Sequence, residues 1–215
     1  MQSPRHTRLR AAIFDLDGTL TDTPSIWQHL HEKFGTWEVG KKTSRMYHEG
    51  FISYEEWASI DASCWKGVPI SKVLRALGEI RYTTGARELI EQLKIHGMRT
   101  GIVSAGLSVL VDKAKLDLGA DLAISNELEV KEGILTGQVA VKVGTSNKFK
   151  IIEEAAWLLG AEMIETVVVG DNASDIPESA GLRIAYKPST LHAREIADVV
   201  IEDDDIRTVA DHILM

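Results

Sequence analysis

Apolar residues along the chain fall into short, nearly unbroken runs that alternate with stretches spaced like one face of a helix. Runs at 11–15, 99–104, 121–125, 166–170, 182–186 and 198–201 show too little polar alternation for a half-exposed sheet, so they read as strands buried on both faces. Such strands predict a parallel sheet covered by helices. Over 84–96, Ala86, Leu89, Ile90 and Leu93 recur at helical spacing, with Gly97 placed to end the helix. The stretch 147–159 has the same form and stops at Gly160, and 107–118 is a third. At 128–137 two apolar runs flank Lys131-Glu132-Gly133, which predicts a hairpin at the edge of any site.

Residues 22–81 break this rhythm, with no convincing strand and four of the five tryptophans: Trp27, Trp37, Trp57 and Trp65. Ser53 and Glu56 have capping-box spacing, opening a helix that carries Trp57, Ile60 and Cys64. Pro69 starts another, with Ile70, Val73, Leu74 and Leu77 on one face. An ordinary βα loop has only about 2–6 residues, so this segment reads as a helical insertion and a candidate lid. Three of its four tryptophans are expected to fill its own small core.

A chain of 215 residues, 44% hydrophobic, supports one domain or one domain with an insertion. A formal charge of −8 argues against nonspecific nucleic-acid or anionic-membrane binding. No apolar run reaches membrane-spanning length. Cys64 is the lone cysteine, which allows no internal disulfide and fits a reducing cytoplasmic setting. Residues 1–10 are basic without a following signal-like apolar region and read as a loose leader.

Four stretches carry candidate chemistry. In Asp15-Leu16-Asp17-Gly18-Thr19-Leu20, two acids stand two apart at a strand end, so they face one side. Their mutual repulsion calls for a cation or a shared proton. Ser104-Ala105-Gly106 lies between a strand and a helix, where backbone N–H groups attract phosphate oxygens. Lys148 falls in the first turn of a helix, where a cation opposes the helix dipole unless an anion is near; taken alone, it reads as an exposed lysine. Finally, Gly170-Asp171-Asn172-Ala173-Ser174-Asp175 leaves a buried strand with two more acids, hard oxygen ligands of the kind Mg²⁺ prefers. Ligands of open α/β sheets gather at the carboxyl ends of the strands, where these stretches converge. The histidines show no zinc-ligand spacing, and Glu202-Asp203-Asp204-Asp205 reads as a solvated loop.

Taken together, the four stretches resemble, in order and over nearly the whole chain, the signature motifs of the haloacid dehalogenase-like hydrolase superfamily, most closely its phosphoserine-phosphatase-like branch. The resemblance implies an α/β fold: a three-layer Rossmann-like parallel-sheet core, residues 1–21 and 82–215, with a helical cap, 22–81, inserted after the first strand. It implies Asp15 as nucleophile, forming an aspartyl-phosphate, and Asp17 as general acid and base. Mg²⁺ would be held by the Asp15 carboxylate, the Asp17 carbonyl, Asp171 and Asp175. Gly18, Thr19, Ser104, Ala105, Gly106, Lys148 and Asn172 would bind a phosphoryl group. Asp17 favours phosphate esters over halides, because an alkoxide leaving group needs a proton. The implied activity is hydrolysis of a small phosphorylated metabolite. Phosphotransfer or mutase chemistry through the same intermediate, and a non-catalytic binding module, are the alternatives. Phosphoserine phosphatases bind the substrate amine with an acid after the first motif and its carboxylate with a cap arginine. Here Thr23-Pro24-Ser25 replaces the acid, and 53–66 holds no arginine, Arg45 lying before it. The aromatic cap residues Trp27, Tyr47, Phe51, Trp57 and Trp65 suit a less polar or larger leaving group.

Overall fold

A computed structural model describes residues 8–214. Strand β1 (Ala11–Phe14) is buried along its whole length, and four helices follow it: α1 (Ile26–Phe34), α2 (Trp37–His48), α3 (Tyr54–Ser63) and α4 (Ile70–Leu77). The chain then runs through α5 (Ala86–Ile95), β2 (Arg99–Leu107), α6 (Ser108–Leu118), β3 (Leu122–Lys131), β4 (Ile134–Ala140) and α7 (Lys148–Leu158). It ends with β5 (Thr166–Gly170), β6 (Leu182–Tyr186), α8 (Leu191–Ile196), β7 (Val199–Ile201) and α9 (Thr208–Ile213). The seven strands lie in the order β4-β3-β2-β1-β5-β6-β7, every neighbour parallel except β3–β4. Apolar groups cover both faces of the sheet: Phe14, Ile102 and Val169 belong to one core cluster, Ile13, Val103 and Val168 to the other. This period-2 division is what unbroken apolar strands dictate.

β1 and β5 are adjacent at the sheet centre, so the acids that follow each emerge at the same carboxyl edge. The helical insertion joins the core at a narrow neck. Thr21 pairs with Tyr82, and the Asp22 and Thr83 N–H groups donate to the Arg81 and Leu20 carbonyls. Among the described residues, no helix is long and apolar enough to cross a membrane.

Several local expectations need correction. The leader expected over 1–10 lies outside the described residues as far as Thr7. Arg10, however, is tied into the fold, its N–H donating to the Glu165 carbonyl and its guanidinium pairing with the Glu165 carboxylate. β2 does not stop at Ser104. It continues to Leu107 through an irregularity that shifts its register with β3, so Ser104–Gly106 is a bulged strand end rather than a helix start. The hairpin forms on a Glu132-Gly133 turn with both φ positive, but β4 packs on α3, and the Gly67 and Ile70 N–H groups donate to the Leu135 and Gly133 carbonyls. It braces the cap from below. The Ser53–Glu56 capping box is present, yet α3 turns Tyr54, Ala58, Asp61 and Ala62 inward and leaves Ile60 exposed. Likewise α4 buries Val73, Ala76 and Leu77, while Leu74 faces out.

Candidate active site

A cavity of about 380 Å³ opens between the carboxyl edge of the sheet and the helical cap. Asp15 leaves β1 and is buried; its N–H donates to the Val169 carbonyl, which fixes the strand tip. Lys148 is also buried. Its ammonium donates to Asp15 Oδ1 and to Asp175 Oδ1, each at 2.6 Å. The expectation of a solvated lysine fails because β2 and β1 receive α7, which presents its first turn to the acids. Burial works against the charge of Lys148, but Asp15 and Asp175 outweigh it and hold the pKa up. Burial pushes the Asp15 pKa well up, opposed by Lys148 and reinforced by Asp175, Asp171 and Asp17.

Carboxylate oxygens of Asp15, Asp171 and Asp175 lie within 4.8 Å of one another. Burial, then the charge of Asp175, raises Asp171 to about 6. Three buried or half-buried carboxylates with a single ammonium among them are short of positive charge, and their hard oxygen donors fit a divalent cation. Asp175 is set by a 3-10 turn, where Asn172 N–H donates to its Oδ2 at 2.9 Å. Gly170 allows that turn: a Cβ there would stand 2.2 Å from the Asp175 Cβ.

Asp17 faces the same cavity. The Ile26 N–H donates to its Oδ2 at 2.9 Å, whereas its Oδ1 is buried without a partner. Burial raises its pKa to about 6, with the Ile26 hydrogen bond opposing. Gly18 takes φ 77°, turning the chain back under the Asp171 carboxyl, 3.4 Å from where a Cβ would sit. Ser104, Ala105, Gly106 and Asn172 line the cavity; Gly18 and Thr19 stand behind its wall, and Thr19 Oγ1 is buried unpartnered. The Gly106 N–H donates to Ser104 Oγ at 2.9 Å, so that amide is already engaged.

Two features escaped the sequence reading. Asn126 is fully buried in β3 and donates to the Ala105 and Val143 carbonyls, while its Oδ1 accepts from the Lys142 and Val143 N–H groups. It thereby ties the Ser104–Gly106 bulge to the loop leading to Lys148. A lone asparagine amid strand residues was the only available signal. The cap closes on the same carbonyl: Trp27 Nε1–H and the Tyr54 hydroxyl both donate to Ala105 O, at 3.1 and 2.5 Å. The second feature is His31, buried against Asp61 at 3.1 Å and lining the cavity, although the histidines had offered no motif. Of the four cap tryptophans, Trp27 and Trp65 belong to the core cluster and Trp57 packs against it, as expected for three of them, while Trp27, Trp37 and Trp57 also line the cavity.

An open parallel sheet with an acid-lined cleft at its carboxyl edge, roofed by a helical insertion, defines a Rossmann-like α/β protein with a capped acidic site. The haloacid dehalogenase-like hydrolase pattern matches residues 12–178, and the chain belongs to that family. Among curated relatives, the phosphoserine phosphatase of Methanocaldococcus jannaschii is 37% identical over 94% of this chain and 96% of its own length. That of Wolinella succinogenes is 30% identical over 95% and 100%. Among solved structures, a phospho-aspartyl intermediate analogue of phosphoserine phosphatase superposes with a TM-score of 0.83 at 35% identity, over 96% of this chain and 99% of that one.

Proposed function

We propose that this protein is a cytoplasmic Mg²⁺-dependent phosphatase that hydrolyses a small phosphate monoester through an aspartyl-phosphate. The observation that carries the reading is the carboxylate cluster of Asp15, Asp171 and Asp175 with only Lys148 set among them, beside an Asp17 kept short of partners. The phosphoserine phosphatase relatives support the same reaction class.

Asp15 is the nucleophile. Lys148 holds its Oδ1, which leaves Oδ2 to attack phosphorus as the ester oxygen departs. Asp17, with a pKa raised by burial to about 6, retains its proton long enough to give it to that oxygen. Once deprotonated, it takes a proton from the water that cleaves the aspartyl-phosphate. Ser104 and Lys148, both lining the cavity, would bind the phosphoryl oxygens as they gather charge. Asp15, Asp171, Asp175 and the Asp17 main-chain carbonyl would hold Mg²⁺, which when bound offsets the repulsion between the nucleophile and the phosphoryl group. Residues 22–81 form the cap and 1–21 with 82–215 the core, Thr21 and Tyr82 marking the neck between them.

The test is hydrolysis of an aryl phosphate with and without Mg²⁺, beside Asp15→Asn. Turnover is expected to need the metal and to disappear in the variant. Unchanged turnover in Asp15→Asn removes the nucleophile and with it the proposal.

A further inference from the structure

The cap half of the cavity has a chemistry of its own. Among the described residues lining the cavity, Lys148 is the sole lysine or arginine, and it lies in the core half between Asp15 and Asp175. The cap half holds one carboxylate, the buried Asp61. Oδ1 accepts from Thr43 Oγ1 at 2.6 Å, and Oδ2 faces His31 Nε2 at 3.1 Å. His48, at the exposed rim, has its Nδ1 engaged by the Ser44 carbonyl. A carboxylate entering here would lose its water and meet Asp61 with no lysine or arginine beside it. An ammonium group would find the one carboxylate of the cap half, Asp61, already facing Thr43 and His31.

Beside the neutral side chains of Ser25, Gln28 and Ser44, the remaining surface is an aromatic wall. Tyr47 and Trp57 stack at 4.9 Å and 15°, with Tyr54 set edge-on to both. Trp27 and Tyr54 direct their polar atoms at the Ala105 carbonyl, which turns the polar edges of these rings away from a ligand. Two buried ring nitrogens of this wall lack a hydrogen-bond partner, Trp57 Nε1 and His31 Nε2, the latter facing Asp61. Aromatic faces with no free lysine or arginine beside them are matched by an uncharged ring. The volume, about 380 Å³, is ample for a phosphoryl group with such a ring attached.

We propose that this subsite selects phosphate monoesters whose leaving group is an uncharged, ring-bearing alcohol, and disfavours those carrying a carboxylate or an ammonium. The proposal rests on the phosphatase reading above and narrows its substrate class. An aromatic alcohol and a cyclic sugar share the required chemistry, a ring face without charge, and the assay separates them.

The experiment compares kcat/KM for four esters of primary alcohols, so that leaving-group basicity does not dominate: benzyl phosphate, glucose 6-phosphate, O-phosphoserine and O-phosphoethanolamine. Acetyl phosphate reports on the core chemistry alone. Benzyl phosphate or glucose 6-phosphate is expected to exceed both charged esters by roughly tenfold or more. Trp57→Ala is expected to lower that preference chiefly through KM, and Trp57→Phe, which keeps a ring, to restore most of it. A preference for O-phosphoserine or O-phosphoethanolamine, or a ratio near one, overturns the subsite while acetyl phosphate turnover leaves the phosphatase reading standing. Absence of acetyl phosphate hydrolysis with Mg²⁺ overturns both.

Discussion

Asp171 offers the most direct measurement of the strain held in the acidic cluster. Its pKa stands at about 6, against 3.8 for an unperturbed carboxyl, because burial and Asp175 disfavour its charge. A folded-state value above the unfolded one means that the folded protein holds this proton more tightly. The stabilisation is therefore complete below about pH 4, is lost as pH rises through 6, and is absent at pH 7. A shift of about two units corresponds to about 3 kcal/mol. Asp171→Asn removes the ionisation while keeping the shape. In chelator at pH 7 the variant should exceed the parent by up to about 3 kcal/mol, or roughly 6–12 °C in Tm for a chain of this size. At pH 5 the difference should fall to roughly half, and below about pH 4 it should approach zero. Surface acids such as Asp117, Asp121 and Asp198, whose pKa values are lowered, respond to pH with the opposite sign, but they are common to both proteins and cancel in the comparison.

Mg²⁺ should offset most of that difference. A cation that binds only the folded parent adds about 2.7 kcal/mol at a hundredfold excess over Kd. The variant, lacking one carboxylate ligand, should gain much less. The assay is thermal unfolding followed by tryptophan fluorescence, at pH 5 and pH 7, in chelator and in saturating Mg²⁺. A variant less stable than the parent at pH 7 in chelator would refute the account of uncompensated charge. Equal Mg²⁺ responses in the two proteins would refute Asp171 as a ligand.

Other substitutions probe the remaining groups. Asp17→Asn should slow alkyl phosphates by about 10²–10⁴ and acetyl phosphate far less, since an acyl leaving group needs no proton. With Asp17 at about 6, parent turnover of alkyl esters should fall as pH climbs above that value, and a pH–rate profile reads this directly. Lys148→Met should destabilise the metal-free protein by about 3–5 kcal/mol at pH 7, because Asp15 and Asp175 lose their only ammonium partner. In urea melts the loss should shrink as pH falls, because burial raises the Asp15 pKa and favours its neutral form. Tyr54→Phe should cost about 1 kcal/mol and raise KM by loosening the cap from Ala105, whereas Asn126→Ala, which strands several buried backbone groups, should cost upwards of ~2 kcal/mol. Parallel melts and kinetics separate the two.

What the sequence made legible was whatever depends on neighbours along the chain. Asp15 and Asp17 could be placed at a strand tip because unbroken apolar residues precede them, and the same holds for Asp171 after Val167-Val168-Val169. Ser53 and Glu56 declared a helix start because the capping box is local. The ion pairs of Lys148 were hidden, since its two partners lie 133 and 27 residues away and only the packing of α7 against the sheet unites them. His31 and Asp61 sit on different helices, and neither helix carries a pattern that announces the pair. Ser104 was read as a turn because small residues suit turns, yet β3 extends β2 beyond it by accommodating a bulge. Tertiary pairing overrode local propensity there.

The Ala105 carbonyl links the two halves of the site in a way that bears on how substrates are chosen. It is the main-chain neighbour of Ser104 on the phosphoryl side, and it accepts from Trp27 and Tyr54 of the cap and from Asn126 of the core. A carbonyl has two lone pairs, so three donors compete for it and each is weakened by the others. The cap contact is therefore one that opens without a large loss, because Asn126 retains the acceptor when Trp27 and Tyr54 withdraw. A leaving group that packs well against the aromatic wall keeps those two donors in place, and with them the conformation of the Ser104–Gly106 bulge. Fit in the cap is thereby transmitted to the phosphoryl site through one oxygen atom. A poorly fitting ester should lose kcat as well as affinity, even though the acids that break its bond never touch the part of the molecule that fails to fit.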